Sequence, residues 1–77
     1  MKLLITNIER SLNALDFEKL FEKVGKLKSC TLVLDEKTKL SKGFGFVEYE
    51  VTEVAQKAIE LLNGRLVNGK HMKVKSA

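Results

Sequence analysis

The apolar positions of this chain switch between a period of two and a period of about 3.6, and each switch marks an element. From Lys2 to Asn7 the alternation puts Leu3 and Ile5 on one side and Leu4 and Thr6 on the other, which predicts a strand. Phe17, Leu20, Phe21 and Val24 then recur at i, i+3, i+4 and i+7, the stripe of an amphipathic helix. Asn13 stands ahead of it, Asp16 lies where a capping acid helps, and Gly25 is its expected stop. Leu27, Cys30, Leu32 and Leu34 belong to a β-favouring run that ends at Asp35, a second strand, and a lysine-rich loop from Glu36 to Ser41 follows. Residues 42–49 alternate again as a third strand. Ala55, Ala58, Ile59 and Leu62 predict a second helix, capped at Thr52 and closed by Asn63-Gly64. Asn68-Gly69 is a tight-turn signal, and Met72 and Val74 alternate with His71, Lys73 and Lys75 in a last strand. The order is βαββαβ. Two such right-handed halves give an α+β, ferredoxin-like sandwich: a four-stranded antiparallel sheet with both helices on one face and the other face open. Nothing along the chain reads as a linker or repeat, so residues 1–77 are expected to form a single domain.

The open face carries the chemistry. Residues 42–49 read Lys-Gly-Phe-Gly-Phe-Val-Glu-Tyr, and alternation places Phe44, Phe46 and Glu48 on one side with Gly45, Val47 and Tyr49 on the other. A one-residue slip would bury Glu48, so the face bearing Val47 and Tyr49 is the core face. Two Phe rings are then left toward solvent, which is unfavourable unless something flat covers them, and unpaired nucleobases are the commonest flat partner. Exposed aromatic patches also mark protein interfaces, so a protein partner is a second reading of the same face.

Charge sharpens this picture. The net charge is +4, of the sign expected for a nucleic-acid binder. The cations gather at Lys26, Lys28, Lys37, Lys39 and Lys42 and again at Arg65, Lys70, Lys73 and Lys75, in the expected sheet and loop segments, whereas the helical segments are net acidic. The single cysteine, Cys30, excludes an internal disulfide and a cysteine-cluster metal site, and is expected to be a small core-facing hydrophobe on the second strand. His71 has no ligand-spaced neighbours and is expected at an exposed edge; no metal and no cofactor are expected. The apolar run at the start is too short for a signal peptide or a membrane span, which predicts a soluble cytoplasmic protein.

The octamer matches, position for position, the pattern Lys/Arg-Gly-Phe/Tyr-Gly/Ala-Phe-Val-x-Phe/Tyr, a match that chance produces at well under about one position in a million. With it, Leu3-Leu4-Ile5-Thr6-Asn7-Ile8 fits aliphatic, aromatic, aliphatic, any residue, Asn, aliphatic, except that Leu4 replaces the aromatic residue. On these two motifs and the element order the whole chain resembles an RNA-recognition-motif domain, and its layout is similar to that of the small single-domain RNA-binding proteins of bacteria, with no basic tail expected to assist. The resemblance implies that Phe46 stacks on a base, that Phe44 packs against a sugar and that Lys42 reaches a phosphate. Leu4 would offer apolar packing without the flat face that makes stacking worth roughly 1–3 kcal/mol per base.

Lys73 and Lys75 are expected to face the sheet surface beside Phe46 and contact phosphate or base, although edge strands also use lysine against unwanted pairing. Lys37 and Lys39 can wrap an RNA strand or form a solvated charge run. Lys39 stands where the family often has Gly at a positive-φ turn, which leaves two loop geometries open. Thr6, Asn7, Thr31, Val33 and Glu48 have positions suited to lining the face or its rim. Glu48 can accept from a base amino group or pair with Lys73 or Lys2, and Lys2 belongs to the same candidate RNA-binding set.

Enzyme readings find no support. The segment after the first strand, Glu9-Arg10-Ser11-Leu12-Asn13, has an Arg without the glycines of a phosphatase loop and without the Cys-x-x-Cys of a metal carrier, and no paired nucleophile and base is visible. The function expected is binding of single-stranded RNA by a monomeric domain. A protein-interaction module and single-stranded DNA binding are the alternatives.

Overall fold

Alternation along two central strands divides the sheet into a buried and an open face. The computed structural model describes residues 1–77. In β1 (Lys2–Thr6) Leu3 and Ile5 are fully buried and Leu4 and Thr6 half-buried; in β3 (Ser41–Tyr49) Gly45, Val47 and Tyr49 are buried and Phe44, Phe46 and Glu48 half-buried. β1 and β3 pair antiparallel at the centre, β2 (Leu27–Leu34) joins the outer edge of β3, and β6 (Lys73–Ser76) joins the outer edge of β1, in the order β2-β3-β1-β6. The expected four-stranded antiparallel sheet with two helices is the architecture observed.

The helices close the buried face. α1 (Ala14–Glu22) buries Phe17 and Phe21, whose ring centroids lie 5.2 Å apart at 59°, and α2 (Thr52–Leu62) buries Ala55, Ala58 and Leu62. Two alanines on the buried side of α2 let its backbone approach the sheet closely. Tyr49 ends the octamer inside this core, where its hydroxyl donates to the Phe21 carbonyl at 2.7 Å; burial, with Cys30 nearby, pushes its pKa up. Asn13 caps α1, its Oδ1 accepting from the Asp16 N–H at 2.8 Å.

Local details depart from the expectations at three places. α2 begins at Thr52 itself, with Val51 in an extended conformation at the cap position and no side-chain bond to the first turn. Gly25 does not stop α1 through a left-handed backbone: the helix ends at Glu22 with Lys23 as its cap, and Gly25 lacks a positive φ. Its small size matters instead, because a Cβ there would run into the side chain of Val54 on α2. The last strand is split. Asn68 and Gly69, at φ 50° and 89°, turn a two-residue ladder between β4 (Leu66–Val67) and β5 (Lys70–His71), and the sheet strand proper resumes only at Lys73. Between them Met72 is buried, its N–H donating to Arg65 and its carbonyl accepting from Gly64. The expected tight turn is therefore present, in a ribbon that precedes the edge strand. No helix is long and apolar enough to cross a membrane.

Candidate nucleic-acid interface

Register arranges the open face in rows. Thr31 of β2, Phe46 of β3, Leu4 of β1 and Lys75 of β6 stand opposite one another in turn, so a single row crosses all four strands. On one side of it lies the row Ser29, Glu48 and Lys2; toward the start of β3 come Phe44 on β3 and the pair Thr6 and Lys73. Lys42 shares the parity of Phe44 and Phe46 and is exposed.

The two Phe rings are perpendicular, with centroids 6.4 Å apart and an interplanar angle of 87°. They cannot both lie flat beneath one base. One ring can serve as a stacking platform while the other forms an apolar wall beside it. The Nζ of Lys2 lies 5.1 Å from the Phe46 ring centroid, a cation–π contact of the exposed kind worth about 0.5–1 kcal/mol. A base that stacks on Phe46 has to displace that ammonium, which then stands free beside the incoming strand.

Several expected contacts sit elsewhere. Lys73 and Lys75 do face the open side, but opposite Thr6 and Leu4; β1 separates them from Phe46. Glu48 pairs with neither Lys73 nor Lys2: its carboxylate lies 4.0 Å from the Nζ of Lys28, a surface pair, because Lys2 turns toward Phe46 and Lys73 belongs to the far edge. Asn7 is exposed with φ 55°, and its Nδ2 donates to the His71 carbonyl at 2.9 Å, so part of this side chain ties the end of β1 to β5. Thr31 is exposed and Val33 half-buried. Cys30 packs against the core, and burial, then the nearby Glu18 and Glu22 carboxylates, push its thiol up to about 11. His71 is exposed, its Nδ1 2.9 Å from the Gly64 carbonyl oxygen.

The loop between β2 and β3 keeps the positive-φ turn even without glycine, since Lys39 adopts φ 63°. Asp35 organises this loop: its Oδ1 accepts from the N–H groups of Lys37 at 2.9 Å and Thr38 at 3.0 Å, and its carbonyl accepts from Lys39. The bonds from Thr38 first and Lys37 next hold the carboxyl below the usual carboxylate range. Between this loop and the β1–α1 connection lies an open cavity of about 490 Å³ at the end of the Phe44 row, with Arg10 and Lys42 among its lining residues. Arg10 carries no motif. Its place at this cavity arises only when two loops distant in sequence come together.

The chain matches the family model of the RNA recognition motif over residues 3–73. It is 34% identical over 76 residues to the human poly(U)-binding-splicing factor PUF60, an alignment covering 99% of this chain and 14% of the relative. The solved structure of Sex-lethal RNA recognition domains 1 and 2 from Drosophila melanogaster superimposes with a TM-score of 0.94 at 30% identity, covering 99% of this chain and 48% of that one. A solved Sex-lethal protein/RNA complex gives 0.93 at 30% identity over 99% of this chain and 46% of that one. The chain thus spans about a seventh of the human splicing factor and about half of the fly structure. These relatives are eukaryotic, so the likeness to small bacterial proteins is not borne out. The family match runs from the first buried residue of β1 to the first residue of β6 with both signature strands inside it, and on that extent the chain belongs to the RNA recognition motif family.

Proposed function

We infer that this domain binds single-stranded RNA on the open face of its sheet. The observation that carries the inference is the placement of Phe44 and Phe46: two rings left accessible beside a core that Val47 and Tyr49 already fill from the other side of the same strand. Phe46 is the base platform, Phe44 the apolar wall against sugar, and Lys42 a phosphate partner. Lys2 changes from a cover on Phe46 to a phosphate partner as the base arrives. Lys73 and Lys75 extend the positive surface past Leu4 and Thr6, while Asn7, Glu48 and Lys39 line the rim. The relatives named for poly(U) binding and solved with RNA support this reading over a peptide ligand.

The reading is of a binding domain rather than an enzyme, made of one unit over residues 1–77, monomeric and cytoplasmic; sedimentation and cell fractionation check the last two. A residue-by-residue NMR titration with short random RNA and matching DNA tests the whole. Shifts concentrated on β1, β3 and β6 with RNA are expected. Shifts confined to the helical face, or none with either ligand, would refute the reading, and equal affinity for DNA would widen the ligand to single strands in general.

A further inference from the structure

The strand that crosses Phe46 and Phe44 has somewhere to go beyond the sheet. Next to Phe44 the open cavity of about 490 Å³ has the size of a small-ligand site and is walled by Arg10, Asp35, Thr38, Ser41, Lys42 and the Phe44 ring. Arg10 is presented there by a fixed turn. The Ile8 N–H donates to the Gly43 carbonyl at 2.9 Å, which pins the start of this connection to β3. The Leu12 N–H donates to the Glu9 carbonyl at 3.1 Å, and the Glu9 carboxylate accepts from both the N–H and the hydroxyl of Ser11. Arg10 is therefore held on a tight turn with its guanidinium free of any partner within the protein.

Asp35 brings different chemistry to the same cavity. Oδ1 of Asp35 is taken by the two loop N–H groups; no backbone group bonds Oδ2, and the Thr38 side chain and the Lys42 charge lie near the carboxyl. An ionised carboxylate only accepts hydrogen bonds and repels phosphate. A nucleotide entering this cavity is thus oriented: phosphate toward Arg10 and Lys42, base edge toward Asp35. The base favoured is one that presents an amino group. Cytosine offers its 4-amino group where uracil, of the same size, offers a carbonyl oxygen that a carboxylate repels.

Resting on the RNA-binding reading above, we propose that the cavity beside Phe44 is a further nucleotide subsite, where Arg10 and Lys42 bind phosphate and Asp35 selects a base carrying an exocyclic amino group.

The test compares rC3, rU3, rC6 and rU6 on the intact chain and on the variants Arg10→Ala and Asp35→Asn. Trimers fit on the sheet; hexamers reach the cavity. The statistical advantage of the longer ligand is the same for both bases and cancels in the comparison. In the wild type the gain from trimer to hexamer is expected to be about fivefold larger for cytosine than for uracil. Arg10→Ala should weaken both hexamers about fivefold, lower their salt slope by about 0.7 and leave the trimers within about twofold. Asp35→Asn keeps an oxygen for the two loop N–H groups, so the loop survives, and should abolish the cytosine advantage. Arg10→Ala acting equally on trimers and hexamers, or on neither, would overturn the proposal, as would an unchanged cytosine advantage in a folded Asp35→Asn. Wild-type protein that binds no trimer would instead remove the RNA reading beneath it.

Discussion

Leu4 and Phe46 stand directly opposite each other across the β1–β3 ladder, with Thr31 and Lys75 completing the row. Leu4 is half-buried and open to the same side as the ring, so a larger flat side chain can occupy its place without displacing the core. Leu4→Tyr or Leu4→Phe is expected to tighten binding of short single-stranded RNA by about 0.5–2 kcal/mol by adding a second stacking surface. Calorimetric titration beside a melting curve checks this. Weaker RNA binding by a well-folded variant would show that Leu4 fits a ligand that a ring does not.

The glycine between the two Phe residues is demanded by the core. A Cβ on Gly45 would come within 2.5 Å of the Thr31 carbonyl oxygen and 3.2 Å of Cζ of Phe17, so β2 and α1 both press on this position. Gly45→Ala is expected to destabilise the fold by about 1–3 kcal/mol. At temperatures where the variant is still folded its RNA affinity should match the wild type, because the added methyl group points away from the RNA face; a urea melt and a binding titration separate the two effects.

Lys39 holds a left-handed backbone at φ 63°, a conformation that costs an L-residue about 1–2 kcal/mol. Glycine relieves that cost but gives back about 0.5–1 kcal/mol through its freedom in the unfolded chain. Lys39→Gly should therefore stabilise the domain by up to about 1.5 kcal/mol in denaturant unfolding, and a lowered stability would contradict the turn geometry.

Lys42 is exposed, on the open-face parity of β3. RNA affinity should fall with added salt, and Lys42→Ala should flatten the logarithmic slope by about 0.7, the increment of one phosphate contact on a single strand. An equal slope in the variant would remove Lys42 from the phosphate contacts.

Parity was legible in the sequence because a single buried face leaves no freedom of register: the positions of Val47 and Tyr49 dictate where Phe44 and Phe46 point. Helical spacing likewise predicted the buried faces of α1 and α2. The features that escaped are those decided by contacts between distant segments. Gly25 looks like a helix stop until Val54 is seen to pack on it. Lys2 has Glu48 as its register partner, yet its ammonium goes to the Phe46 ring, a choice between two neighbours that no local pattern encodes. Arg10 gains meaning only from a cavity shared by two loops.

Phe46 lies on the open face in the free state, half-buried with the Lys2 ammonium over its ring, and in the RNA complex it is stacked on a base. Comparing Phe46→Ala with the wild type for affinity toward a short single-stranded RNA, with melting temperatures recorded on the same samples, tests it most directly. A loss of about 1–3 kcal/mol in binding is expected, with the fold nearly unchanged. Undiminished affinity in a folded variant, or a collapse of thermal stability showing the ring to be part of the core, would contradict it.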